Sequence, residues 1–128
     1  IASCLVGSEM CIRDSALAEC QAESGMWHTL LDDPESYEEA SATCGFAYGI
    51  LRGVHCGLLE EKWLEVAERV LKPVLALISE EGVLGQVSYG TPMGRENREF
   101  YKEIPLRPMP YGQALAILFL VEWKKGHT

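Results

Sequence analysis

Two adjacent rings in this sequence have the chemistry needed to hold a polar ring-shaped ligand. Trp27 and His28 lie between Gly25, which permits unusual backbone conformations, and Pro34, which stops a helix. A flat indole can stack on the face of a sugar, and an imidazole can donate a hydrogen bond to a carboxylate or a hydroxyl. We therefore expect Trp27 and His28 to face a ligand from an irregular loop, with simple packing inside that loop as the alternative.

Three further groups could contribute polar contacts. Tyr111 lies at the predicted start of a helix, where backbone N–H groups favour anions, and core packing is the alternative. Asp32 and Asp33 are adjacent, so on an extended segment they point to opposite sides and cannot act together on one atom. We expect them to stabilise the N-terminus of the following helix. The arginines of a later loop could bind a carboxylate, although such side chains are usually solvated: Arg95, Arg98 and Arg107.

The helix that follows the loop is expected to fix its position. Ser36 and Glu39 have the spacing of a capping box, in which each side chain accepts a hydrogen bond from the other residue's backbone N–H. The sequence thus predicts a helix from Ser36 to about Leu58, with Glu39 serving only as the capping partner. Glycines at four-residue spacing predict close approach of a neighbouring backbone: Gly45, Gly49 and Gly53.

Three other helices are predicted from composition and periodicity. Residues 16–22 are good helix formers that read as the last turns of a helix. Residues 60–78 carry one apolar stripe, with a kink expected at Pro73. The helix from Tyr111 to about Lys124 is almost wholly apolar over its middle, which predicts burial on most sides. Trp63 and Trp123 lie on these stripes and are predicted to be core residues.

The connection before the last helix is predicted to be long and ordered. Residues 83–89 alternate imperfectly and are short enough for one strand or an extended lid. Residues 90–110 contain several prolines and glycines, and their aromatic side chains favour an ordered loop. Inner apolar helices that alternate with a two-faced helix are typical of a double-layered helical barrel. The predicted fold class is therefore all-α.

Residues 1–15 need separate treatment. They show neither helical nor strand periodicity, and the stretch from Met10 to Ser15 looks like the translation of a transposon-end adaptor used in sequencing libraries. We therefore expect residues 1–15 to be a non-native tail and residues 16–128 to be the native part. An ordinary N-terminal tail is the alternative.

Composition excludes several classes of partner. The chain has 128 residues and a net charge of −8, which argues against nucleic acid or an anionic membrane surface as its main partner, because both need a basic face. The five cysteines are an odd set without zinc-ligand spacing, which predicts free thiols and no metal site. No apolar run reaches the roughly 18 residues of a membrane span, and the first residues given do not read as a secretory signal. A cytoplasmic location is expected, and secretion stays open because the native N-terminus is expected to be missing.

Four stretches resemble one group of enzymes. Residues 27–43, 46–50, 89–94 and 107–114 resemble the late part of the unsaturated rhamnogalacturonyl and glucuronyl hydrolases, glycoside hydrolase families 105 and 88. The resemblance implies an (α/α)6 toroid of six helical hairpins, of which residues 16–128 would be the last hairpins. Many relatives have a histidine where Tyr111 stands, so the contact at that position is expected to differ.

The resemblance also implies a reaction. These enzymes act on the unsaturated uronic acid at the non-reducing end of lyase-generated oligosaccharides, and they need no cofactor. An aspartic acid protonates the vinyl ether, water adds, and the hemiketal opens. Those aspartates lie in earlier hairpins without a counterpart here, so we expect no catalytic residue in this chain and no activity from it alone.

Two other functions remain open at the sequence level. One is another sugar enzyme with the same barrel, either an epimerase or an inverting hydrolase. The other is a non-catalytic helical binding module, against which the long aromatic loop without a regular repeat argues. A truncated barrel should in addition expose apolar faces, which predicts self-association.

Overall fold

The computed structural model describes residues 12–94 and 96–128, and within them the chain is helical. Residues 12–19 form α1, followed by α2 (Ala40–His55), α3 (Leu64–Ala76) and α4 (Pro110–Gly126). Short 3-10 helices occupy Glu61–Trp63 and Arg98–Lys102. The described residues contain three isolated β-bridges and no named strand, so the all-α prediction is confirmed.

Helix α2 lies at the centre of the described structure and packs against both α3 and α4. Its buried face is built from small and medium side chains, which let the neighbouring helices approach closely: Ala40, Cys44, Ala47, Ile50 and Leu51. Helix α3 contributes Ala67, Val70 and Val74, and α4 contributes Ala116 and Phe119. This core fixes the relative positions of the loops at the N-terminal ends of α2 and α4.

The predicted start of α2 was wrong by four residues. Glu39 is the N-cap, with extended backbone angles, and its carboxylate accepts a hydrogen bond from the Ala42 N–H. Ser36 instead donates to the Asp33 carbonyl at 2.7 Å, inside a turn of the preceding loop. A β-bridge between His28 and Glu38 keeps this part of the chain extended, so the capping box cannot form.

The glycine prediction for α2 was also wrong. A methyl group on Gly53 would meet the Leu59 side chain, and one on Gly45 would meet the Leu115 side chain, so neither glycine faces another backbone. Nothing lies within 4 Å of the corresponding position on Gly49. The helix ends at His55, and Gly57 then turns the chain with a φ of +72°.

The predictions for the region between α2 and α4 were mostly confirmed. Helix α3 continues through Pro73, the kink expected there stays a prediction, and both Trp63 and Trp123 are partly buried against the core. Residues 83–89 form no strand and instead make isolated bridges through Leu84 and Ser88. Residues 90–94 and 96–109 form an ordered connection that carries the second 3-10 helix.

Helix α4 forms as predicted, but only one of its faces is buried in this chain. Ala116, Phe119 and Glu122 pack inward, whereas an outward apolar face of three residues is exposed: Ile117 (54%), Leu118 (44%) and Val121 (51%). The expected burial on most sides was therefore wrong, because no described element covers this outward face. No helix in the described ranges is long and apolar enough to cross a membrane.

The inward face of α4 carries a buried charge that the sequence pattern did not reveal. Glu122 accepts a hydrogen bond from His55 Nδ1 at 2.7 Å and one from Lys125 at 3.1 Å, and Arg52 lies 3.7 Å away. The hydrogen bond from His55 is the main reason why the pKa of Glu122 lies below its ordinary value. This cluster ties the C-terminal ends of α2 and α4 together.

Most of the tail predicted to be non-native lies outside the described residues, and only residues 12–15 of it are seen, in α1. Asp14 in this segment is 4% exposed, and one of its carboxylate oxygens has no hydrogen-bond partner. Burial raises the pKa of Asp14 above its ordinary value. An unsatisfied buried carboxylate is unfavourable. The non-native origin of residues 1–15 stays a prediction.

Replacing Asp14 with Ala is expected to stabilise the protein by about 1 kcal/mol at neutral pH, because it removes a buried unpaired oxygen. The wild-type protein should regain this difference as the pH falls through the raised folded-state pKa towards 3.8, since protonation removes the buried charge. Urea unfolding between pH 3.5 and 7 measures both effects. Glu19→Ala on the exposed face of α1 is the control, and equal changes in the two variants would contradict this account.

Candidate functional site

A cleft of about 600 Å³ opens where the N-terminal ends of α2 and α4 meet two loops. Residues 28–31 form one wall, residues 39–46 of α2 and its cap form the floor, and residues 88–91 form the opposite wall. Helix α4 closes the cleft with two residues of its first turns, Tyr111 and Leu115. The site is therefore assembled from segments far apart in the sequence.

The wall before α2 is a closed loop held by backbone hydrogen bonds. Thr29 N–H donates to the Tyr37 carbonyl at 2.8 Å, and Glu39 N–H donates to the Trp27 carbonyl at 2.9 Å. Ser36 fills the inside of the loop through its contact with Asp33. These bonds confirm the expectation of an irregular segment fixed at the start of a helix, and they orient His28 towards the cleft.

Trp27 does not face the cleft, contrary to the sequence-based expectation. Its side chain is 0% exposed, and its indole Nε1–H donates to the Leu17 carbonyl at 2.7 Å. Its backbone N–H donates to the Thr43 hydroxyl, and its ring meets Phe46 edge-on at 5.4 Å. An indole enclosed in this way cannot stack on a sugar, so the structure assigns Trp27 to the core beneath the site.

His28 lies in the wall of the cleft and is partly exposed, so its placement fits the predicted contact role. Its Nδ1 atom is paired with the Ser36 carbonyl, which can only accept a hydrogen bond. Nδ1 must therefore carry a proton, and in the neutral ring Nε2 is left as an acceptor. The loop thus fixes both the orientation and the tautomer of this imidazole.

Glu39 is the central polar group of the floor, and its role was underestimated from the sequence. Its carboxylate accepts hydrogen bonds from the Ser41 hydroxyl at 2.8 and 3.0 Å, from Ala42 N–H at 2.6 Å and from Ser88 N–H at 3.0 Å. The residue is 5% exposed. One buried carboxylate therefore caps α2 and joins it to a segment 49 residues later.

Tyr111 is on the rim of the cleft, 41% exposed, and its hydroxyl is already engaged. That hydroxyl donates to the Ser88 carbonyl and accepts from Gly90 N–H at 2.9 Å. Tyr37 contacts the Ser88 hydroxyl at 2.8 Å from the other side. Tyr111 therefore holds the 88–91 wall in place, and its exposed side chain lines the cleft.

Asp32 and Asp33 are paired with cations. The expectation that they stabilise the N-terminus of the following helix was therefore wrong. Asp32 pairs with Arg98, and Asp33 lies 2.7 Å from Lys102, so the two carboxylates bind the second 3-10 helix. Hydrogen bonds from these cations hold the pKa of each carboxyl below its ordinary value. Arg98 is thus not simply solvated, and Arg107 stacks over the Tyr89 ring at 4.3 Å.

Few groups that could do acid–base or metal chemistry line the cleft in the described residues. Glu39 is the only carboxylate among the described residues that line it, and both of its oxygens are occupied. A general acid needs a proton that it can deliver to the substrate, and both oxygens of Glu39 already accept hydrogen bonds from donors of the protein. No group of three or more metal-binding side chains occurs in the described residues.

Comparison with known sequences identifies the family. The sequence model of Glycosyl Hydrolase Family 88 matches residues 10–126 of this chain. The chain belongs to this family. The unsaturated rhamnogalacturonyl hydrolase YesR of Bacillus subtilis is 39% identical over 109 residues, which cover 84% of this chain and 30% of the relative. This family 88 chain therefore spans less than a third of that protein's length.

Solved structures agree with the family assignment. A protein from Salmonella enterica serovar Paratyphi A described as a possible GH105 member is 53% identical, with a TM-score of 0.85 over 90% of this chain and 30% of that one. A similarly described Klebsiella pneumoniae protein is 52% identical with the same TM-score and coverage. A family 105 glycoside hydrolase from C. acetobutylicum is 25% identical, with a TM-score of 0.77 over 88% of this chain and 35% of that one.

The fold expected from the resemblance is therefore confirmed. The family 88 chain has the helical architecture of part of the six-hairpin proteins, and it corresponds to about a third of each relative. The cleft lies where the N-terminal ends of α2 and α4 come together. His28 and Tyr111 stay candidate binding residues.

Replacing Glu39 with Gln should destabilise the family 88 chain by about 1–2 kcal/mol, because an amide nitrogen cannot accept from Ala42 or Ser88. The amide resonances of Ser88 and Gly90 should move, because the 88–91 wall loses one of its anchors. Urea unfolding and amide spectra measure the two effects. Glu35→Gln, on the exposed side of the same loop, is the control, and unchanged stability in Glu39→Gln would contradict the role assigned here.

Proposed function

We propose that this chain is the binding wall of an unsaturated uronyl hydrolase that acts on lyase-generated oligosaccharides. The observation that carries the proposal is the cleft between α2 and α4, which is built from the same residues that match the family. YesR is a rhamnogalacturonyl hydrolase by name, and this relative supports an unsaturated galacturonyl residue as the reacting sugar. The wider role is then the breakdown of pectin-derived fragments in bacteria.

The proposed reaction is the hydration of a vinyl ether. An acid protonates the double bond of the unsaturated uronate, water adds to the cation, and the resulting hemiketal opens to release the sugar. The acid must reach the substrate in its protonated form. Glu39 is saturated with donors, and Asp32 and Asp33 are held as anions by Arg98 and Lys102. The acid therefore comes from a part of the enzyme outside the described residues.

Because the acid is proposed to lie outside this chain, the 128-residue chain alone is predicted not to hydrolyse unsaturated disaccharides, whereas a full-length parent does. The loss of ultraviolet absorbance from the double bond measures the reaction in both proteins. In the parent, His28→Ala should lower kcat/KM by about 10-fold or more if the imidazole contacts the sugar, whereas His127→Ala, outside the cleft, should not.

Turnover by the isolated chain would refute the placement of the acid. An inactive parent would refute the proposed reaction itself.

Self-association is part of the proposal. The outward face of α4 exposes Ile117, Leu118 and Val121 side by side, and contiguous apolar surface of this kind is unfavourable in water. Such a face would pack against neighbouring hairpins in a complete toroid. The isolated chain is therefore expected to cover it with a second copy.

The double variant Ile117→Lys/Val121→Lys should shift the isolated chain towards the monomer in sedimentation velocity experiments, since two charges cannot be buried in the contact without cost. Leu58→Lys is the matched control, because Leu58 is 62% exposed and lies outside α4. A wild-type chain that stays monomeric at all concentrations would contradict this proposal, as would equal dissociation by both variants.

The expected compartment is a reducing bacterial cytoplasm. Cys20, Cys44 and Cys56 are free thiols in the described residues, which supports the expectation from cysteine spacing. Burial, with the Glu39 charge as a smaller cause, raises the pKa of Cys44 to about 12, so this thiol is chemically inert.

A further inference from the structure

The C-terminal end of α4 carries a cluster of titratable side chains at the opposite end of the helix from the cleft. His127 is the C-cap of α4, and its ring stacks on the Trp123 indole with 3.9 Å between the ring centroids. Glu68 of α3 faces the same pair, because its two oxygens lie 2.8 Å from Trp123 Nε1 and 3.0 Å from His127 Nε2. One carboxylate of α3 thus contacts two rings at the end of α4.

Both ring nitrogens of His127 face groups that only accept hydrogen bonds. Nδ1 lies 2.8 Å from the Trp123 carbonyl, one of the last four carbonyls of the helix, which have no N–H partner within it. Nε2 faces the Glu68 carboxylate. Neither a carbonyl nor a carboxylate can donate, so each nitrogen must carry a proton. The contacts therefore select the imidazolium form of His127, whose charge also suits the negative end of the helix.

The other two histidines of the chain differ from His127 in this respect. His55 contacts Glu122 through Nδ1 at 2.7 Å, and His28 contacts the Ser36 carbonyl through Nδ1. Neither ring has an acceptor at Nε2 among the described residues. A neutral imidazole with its proton on Nδ1 satisfies both contacts. Of the three histidines, only His127 is therefore in a position that needs two protons.

Removal of one proton from His127 would direct a nitrogen lone pair at an acceptor. The neutral ring can keep one of its two hydrogen bonds, and the other contact becomes repulsive. The His127 and Glu68 side chains are 41% and 37% exposed, so protons from the solvent reach the contact.

No other charged group takes the place of Glu68 at this ring. In the described residues, no ion pair joins His127 to the other charged groups of this end or of the neighbouring turns of α3: Arg52, His55, Glu65, Lys72, Glu122, Lys124 and Lys125. Glu122 is instead paired with the cations of its own cluster. The charge of the His127 ring is thus balanced by one carboxylate.

We propose that His127, Glu68 and Trp123 form a proton-dependent contact that holds the C-terminal end of α4 on α3. The contact is complete at low pH and is lost as the pH rises and the ring loses one proton. Trp123 keeps its own hydrogen bond to Glu68, so α4 stays in place and only residues 126–128 are released. Histidine suits this role because its charge changes between about pH 5 and 8. The inference does not depend on the proposed function.

The test is an NMR titration of the 15N-labelled chain between about pH 5 and 9. The His127 ring nitrogens and the Trp123 indole N–H are expected to follow one titration curve, because the ring leaves the indole when it loses its proton. Backbone order parameters of Gly126 and His127 should fall from about 0.85 to below about 0.6. The order parameter of His55 should not change, because a neutral His55 still donates to Glu122.

Two variants separate this contact from ordinary fraying of a helix end. His127→Lys keeps a positive charge throughout this pH range, so the Trp123 indole signal should lose its pH dependence. Glu68→Gln should reduce the pH-dependent shift of this signal at least about five-fold, because the charged acceptor that joins the two rings is gone. His28→Gln, in the cleft, is the matched control and should leave the shift unchanged.

Three results would overturn the inference. The first is a Trp123 indole signal that does not respond to pH in the wild-type chain. The second is a response that persists in His127→Lys or that falls equally in His28→Gln. The third is equal backbone order of residues 126–128 at the two ends of the titration.

Discussion

The structure of the site depends on one buried carboxylate. Glu39 caps α2, holds the Ser41 hydroxyl and accepts from Ser88 N–H, so the start of α2 and the 88–91 wall meet at two oxygen atoms. A buried charge is tolerated only when its partners are in place, because an unpaired charge in a low-dielectric interior is strongly unfavourable. The same requirement that stabilises Glu39 therefore fixes the floor and one wall of the cleft relative to each other.

In the proposed function, binding and acid chemistry belong to different parts of the family 88 fold. Both oxygens of Glu39 are engaged by donors of the protein, so the group that organises the cleft is not directed at a substrate. Asp32 and Asp33 near the cleft are likewise engaged, because hydrogen bonds from Arg98 and Lys102 lower the pKa of each carboxyl. We propose that the described chain supplies shape and polarity and that the rest of the enzyme supplies the proton.

The sequence predicted the parts of the fold that depend on local periodicity. Helices α2, α3 and α4 follow from their apolar stripes, and the irregular loop follows from Gly25 and Pro34. What it could not predict depends on distant partners: Glu39 meets Ser88 across 49 residues, and Glu122 meets His55 across 67.

Trp27 illustrates the same limit within the site. An amphipathic ring in a loop suits a sugar and a core equally well, and only the position of Leu17 and Thr43 decides between them. The position of His28 agrees better with its prediction, because the backbone hydrogen bonds that close the loop leave its side chain in the wall of the cleft. The predicted start of α2 at Ser36 was wrong because the Ser36 hydroxyl donates to the Asp33 carbonyl and does not cap the helix.

The most direct test of this account is a crystal structure of a full-length parent, with its general acid replaced, bound to an unsaturated disaccharide. The account predicts a sugar of the disaccharide between His28 and the first turn of α4, Glu39 still bonded to Ser88 N–H, and the replaced acid on a hairpin outside this chain. A disaccharide bound away from this cleft, or a Glu39 oxygen directed at the double bond, would contradict it.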